Sequence, residues 1–85
     1  MFRVVKYGAS WCSACKELER RFERTDIDCE VVHRSCDDNE VQNDCAILGI
    51  RNLPTTILYR NDEEMKRWTG VFDPKIINET IEELK

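Results

Sequence analysis

The sequence predicts an α/β domain of order β-α-β-α-β-β-α, a four-stranded mixed sheet flanked by helices, with residues 1–85 forming a single domain. Three observations carry that prediction. The opening third reads strand, helix, strand, which calls for a parallel pair joined by a right-handed crossover. Two later strands are separated by a short segment punctuated by Asn61, Asp62 and Glu63, so they pair antiparallel as a hairpin. A chain of 85 residues has material for one thin core and no second one. A mixed sheet covered by helices on both sides satisfies all three.

Each element has its own warrant. Phe2 to Tyr7 is rich in β-branched and aromatic residues and stops at Gly8, the first strand. Trp11, Cys15, Leu18 and Phe22 recur at spacings of four, three and four, which lines one face of a helix ending near Arg24. Cys29 to Arg34 is a short strand that runs into a polar turn, Ser35 to Asn39. Val41, Cys45 and Leu48 form a second helical stripe, closed by Gly49 as a left-handed cap. Thr55–Tyr59 and Met65–Thr69 are the hairpin strands. Asp73 followed by Pro74 is a helix start, and Ile76, Ile77, Thr80, Ile81 and Leu84 are the face that the last helix buries.

Composition narrows the function. Hydrophobic residues at 41% and charged residues at 35% suit a folded domain with a solvated surface, and exclude a disordered or fibrous chain. A net charge of -4 with no basic tail argues against a nucleic-acid partner, which would need Lys and Arg gathered on one face. The apolar runs are too short for a membrane span or a signal peptide, so the expectation is a cytoplasmic monomer with no membrane association. Five cysteines are an odd number, and in a reducing compartment such residues are catalytic, metal-binding or buried thiols rather than a disulfide framework.

Cys12 and Cys15 stand out among the five. Their segment, WCSAC, lies where the first strand hands over to the first helix. A spacing of three on a helical turn brings two sulfurs within bonding reach, and the free amides and positive dipole end of a helix favour a thiolate on the first. Cys12 is therefore the candidate attacking group. Cys15, on the apolar stripe, is expected to be the more buried thiol that resolves a mixed disulfide. The competing reading of this spacing is half of a zinc site. The other candidate ligands, Cys29, His33, Cys36 and Cys45, are scattered over a strand, a turn and a helix without a second metal spacing, and CxxC inside a βαβ pattern is a redox signature. No metal and no organic cofactor is expected, since the two thiols hold the electrons themselves.

With those residues in view, the chain resembles the thioredoxin family through two distant segments. One is ASWCSACK, Ala9 to Lys16, and the other is LGIRNLPT, Leu48 to Thr55. The resemblance covers nearly the whole chain, although the first strand and helix of full-length thioredoxins have no counterpart. It implies the thioredoxin fold and a thiol-disulfide oxidoreductase acting on protein disulfides, with a thioredoxin-reductase-like enzyme or glutathione as the source of electrons. It also implies roles: Cys12 as nucleophile, Cys15 as resolving thiol, Trp11 as flanking aromatic, Pro54 as a cis-proline shaping the substrate groove, Leu53 offering backbone groups to an extended substrate, and Gly70 beside the same surface. Two other classes stand against this reading: a non-enzymatic binding module built on the same fold, and the zinc-binding domain.

The sequence departs from the family at three points. Ser13 and Ala14 stand where thioredoxins usually have Gly and Pro, positions that tune reduction potential. Lys6 stands where they usually have a buried acid that assists proton transfer to the resolving cysteine. It either points beneath the active site, where its charge would favour a thiolate at Cys15, or sends its ammonium to solvent. The length is closer to that of glutaredoxins, but their CPYC-like motif and Gly-Gly pair are absent, and Gly70-Val71-Phe72 stands in the latter's place. Of the remaining candidates, Cys29 and Cys45 read as buried inert thiols, Cys36 as an exposed turn thiol open to regulatory oxidation, and His33 as a solvated strand-end side chain. Trp68 and Phe72 fit either the substrate groove or the core.

Overall fold

The structure, a computed structural model, describes residues 1–85. Seven elements follow in the predicted order: β1 (Phe2–Gly8), α1 (Ser13–Glu23), β2 (Glu30–Ser35), α2 (Asn39–Leu48), β3 (Thr55–Arg60), β4 (Glu63–Thr69) and α3 (Lys75–Leu84). The strands form one mixed sheet in the order β2-β1-β3-β4. β1 runs parallel to β2 and antiparallel to β3, and β4 closes the sheet antiparallel to β3.

β1 is central because its side chains are apolar toward both faces: Val4, Val5 and Tyr7 are all buried. Period-two alternation sends them to two separate cores. Val4 and Leu58 pack with Leu18 and Phe22 of α1 and Ile77 and Ile81 of α3. Val5, Tyr7 and Ile57 pack with Val41 and Cys45 of α2. The sheet is thus covered by α1 and α3 on one side and by α2 on the other.

Two local expectations need correction, and one that the sequence leaves open is decided. Arg60 pairs with Glu63, so Glu63 belongs to β4 and the hairpin turn is only Asn61-Asp62. Asn61 makes it possible by taking the left-handed region at φ 57°, which Asn tolerates better than most residues. In α3, Asp73 accepts the Lys75 N–H at 3.1 Å as predicted for a helix start, but Ile76 is 40% exposed, not buried. Adjacent helical residues point about 100° apart, and the face holding Ile77, Thr80 and Ile81 leaves Ile76 outside. Trp68 and Phe72 belong to the core: their rings stack at 5.2 Å, Phe72 meets Phe22 edge-on at 6.2 Å, and both pack on the α1–α3 side.

Candidate active site

The turn between β1 and α1 places the two cysteines. Cys12 takes extended φ and ψ of -98° and 109° and serves as the N-cap of α1, its sulfur accepting the Cys15 N–H at 3.2 Å. The helix therefore starts at Ser13, and Trp11, predicted on its apolar face, stands before it and is 74% exposed. Its spacing of four from Cys15 imitates helical periodicity, but the cap interrupts the helix between them. Gly8 at the end of β1 keeps room for Cys15. A Cβ there would lie 3.3 Å from the Cys15 Sγ and 3.4 Å from its Cβ.

The expected order of burial is reversed. Cys12 is 8% exposed, whereas Cys15 is half-buried. The cause is the loop before β3, which brings the Leu53 carbonyl to 3.8 Å from the Cys12 sulfur and covers it. Cys15 instead borders the open side of α1 with His33 and Asp37. Its thiol is nonetheless held protonated: burial, then the hydrogen bond with Cys12, push its pKa up to about 11. The thiol faces Gly8 even though part of the residue reaches solvent.

The second family-like segment meets the first in space. The Leu53–Pro54 peptide bond is cis. Pro54 is buried, Leu53 half-buried, and the Pro54 carbonyl accepts the Gly70 N–H at 2.8 Å. Gly70 has φ 86°, a conformation that favours glycine. Trp11 and Leu53 both line a cavity of about 460 Å³ whose other walls include Cys36, Cys45 and Ile50. Trp11, Cys12, Leu53, Pro54 and Gly70 thus gather around one end of the sheet.

Lys6 does not send its ammonium to solvent. It is 8% exposed, lies 4.5 Å from the centre of the Phe22 ring, and pairs with Glu19 of α1. Glu19 also faces the His33 ring at 3.7 Å and lines, with Cys15, the two small cavities beside α1. His33 is exposed, as expected. Glu19 was not singled out from sequence, although the signal was present: it lies four residues beyond Cys15, on the same helix face.

Of the remaining cysteines, Cys29 is half-buried against the α1–α3 core, and burial pushes its pKa up. Cys45 is buried as expected. Cys36 is not the exposed turn thiol of the sequence reading. It is half-buried, with its sulfur 3.2 Å from that of Cys45. The Cys36 N–H donates to the Gly8 carbonyl at 2.7 Å, and that bond draws the side chain inward. No three of the His, Cys, Asp and Glu residues come together as metal ligands. No helix is long and apolar enough to cross a membrane.

Comparison with known proteins finds relatives along nearly the whole chain. A family model described as Thioredoxin matches residues 2–83. The thioredoxin of Rickettsia bellii is 30% identical over 83 residues, which covers 92% of this chain and 76% of that protein. The thioredoxin of Gallus gallus is 28% identical over 82 residues, covering 95% and 77%. Among solved structures, thioredoxin-2 of a malaria parasite superposes with a TM-score of 0.83 at 20% identity, over 98% of this chain and 82% of that one.

Proposed function

The chain belongs to the thioredoxin family, and from that premise we propose that it exchanges electrons with protein disulfides through Cys12 and Cys15. Thiol-disulfide oxidoreduction is the family's chemistry. The observation that carries it to these residues is the position of the Cys12 sulfur. It caps α1, accepts the Cys15 amide, and lies beside the loop that carries Leu53 and Pro54.

The Cys12 thiolate attacks one sulfur of a substrate disulfide, forming a mixed disulfide and expelling the first substrate thiolate, which takes up a proton from water. Cys15 then loses its proton and attacks Cys12, forming the Cys12–Cys15 disulfide and expelling the second thiolate. Two electrons pass from protein to substrate. A thiol held at about 11 keeps its proton until that second step, so it needs a local acceptor. Glu19 supplies the carboxylate, held in place by Lys6, which stands where the family usually has its acid. The substrate segment lies between Trp11 and Leu53, with Pro54 and Gly70 forming the floor and backbone contact in the manner of an added strand. A reductase of the thioredoxin-reductase type, or glutathione, returns the electrons, and the working compartment is the cytoplasm, where these thiols stay reduced.

The test is to mix reduced Cys15→Ser protein with a disulfide-bonded model substrate such as insulin. A stable mixed disulfide at Cys12 is expected, with no adduct in Cys12→Ser. Disulfide reduction that persists at full rate in Cys12→Ser would overturn the reading.

A further inference from the structure

We propose that Cys36 and Cys45 form a second redox-active dithiol, which a low-molecular-weight disulfide of the glutathione class oxidises to an internal disulfide. It is distinct from the Cys12–Cys15 pair and does not depend on it.

The placement is specific. Cys36 opens the connection out of β2, and Cys45 lies in the second half of α2, yet their sulfurs stand 3.2 Å apart. Both backbones are fixed. The Cys36 N–H donates to Gly8, the Gln42 side-chain amide donates to the Cys36 carbonyl at 2.7 Å, and the Cys45 carbonyl accepts the Ile50 N–H at 2.8 Å. A disulfide has its sulfurs about 2.05 Å apart, so closure needs an approach of only about 1 Å, within reach of small side-chain rotations. At this distance one thiol donates a hydrogen bond to the other, which keeps the two sulfurs together in the reduced state.

Access distinguishes the pair from a sealed core contact. Both residues line the cavity of about 460 Å³ that opens beside Trp11 and Leu53, a volume in the range that takes a small ligand. A small disulfide therefore reaches the sulfurs through this opening. In the reaction one of the two thiols, as thiolate, attacks the incoming disulfide and expels one thiolate. The other thiol loses its proton, attacks the bound sulfur and expels the second. Two protein thiols become one disulfide and the small disulfide becomes two thiols, with two electrons transferred. Burial and the neighbouring Cys45 push the Cys36 pKa up to about 12, so the exchange is slow near neutrality and quickens as the medium becomes alkaline. The product bridges the end of β2 to α2 and stiffens the wall that this cavity shares with Trp11 and Leu53.

The experiment uses full-length Cys12→Ser/Cys15→Ser protein equilibrated with graded ratios of oxidised and reduced glutathione, followed by alkylation and tryptic mass analysis. Trypsin releases Ser35–Arg51, which holds both cysteines. The expected product is this peptide lighter by two hydrogens and unalkylated, returning to the dialkylated form on reduction, while Cys29 is alkylated throughout. In a second arm, Cys36→Ser on the otherwise native chain lowers the number of internal disulfides formed under oxidation from two to one. Complete alkylation of Cys36 and Cys45 at every ratio, or a glutathione adduct at Cys36 that never resolves onto Cys45, would overturn the proposal. Neither outcome bears on the Cys12–Cys15 reaction.

Discussion

Glu19 stands one helical turn beyond Cys15 and holds the buried ammonium of Lys6. The pair sets an acid on the helix against a cation on the central strand. Lys6 is nearly inaccessible while the Glu19 side chain is 40% exposed, so the attraction is partly screened. Glu19→Gln leaves the Lys6 charge without its partner and is expected to cost about 1–2 kcal/mol, which urea unfolding measures. Lys6→Met removes the need for that partner and costs less. Stability alone does not test the proton-transfer role. That role predicts that Glu19→Gln slows release of the mixed disulfide several-fold while its formation at Cys12 keeps its rate. Equal effects on both steps would reduce Glu19 to a structural residue.

The Cys15 thiol makes stability fall at alkaline pH. Its pKa is raised on folding from 9.0 to about 11. Below pH 9 both folded and unfolded chains keep the proton and the favourable contribution is fully present. Between 9 and 11 the unfolded chain loses its proton first, so stability drops as pH rises and the contribution is gone above the folded value. Cys36, raised to about 12, extends the decline. Denaturant midpoints across this range should fall more steeply for the native chain than for Cys15→Ser, and parallel curves would refute the assignment.

Trp11 separates binding from folding. At 74% exposure and outside α1 it contributes little to the core, so Trp11→Ala is expected to change stability by less than about 0.5 kcal/mol. If it flanks the substrate groove, the same change raises KM for a protein disulfide several-fold with kcat nearly unchanged. A variant with native KM would remove Trp11 from the site.

The order of elements was legible because each carries its own period: two along Phe2–Tyr7, three and four along Leu18–Phe22 and Ile77–Ile81. The CxxC at a strand-to-helix junction was legible for the same local reason. What escaped depends on other parts of the chain. Trp11 has helical spacing to Cys15, and only the cap at Cys12 shows that the helix starts after it. Cys12 is the more covered thiol because of Leu53, forty-one residues away. Cys36 meets Cys45 because the turn after β2 is tied to Gly8, a contact that no pattern in the turn announces. Glu19 is different: its spacing from Cys15 was readable, but its importance emerges only once Lys6 is seen to be buried.

The most direct test of the central claim is a redox titration of the native chain against a graded dithiol buffer, read on the tryptic peptide Tyr7–Lys16, which holds both Cys12 and Cys15. A single reversible two-electron transition of that peptide is expected, abolished in Cys12→Ser, with its midpoint placing the protein among reductants or milder exchangers. A peptide that keeps both thiols in every buffer would contradict the redox function itself.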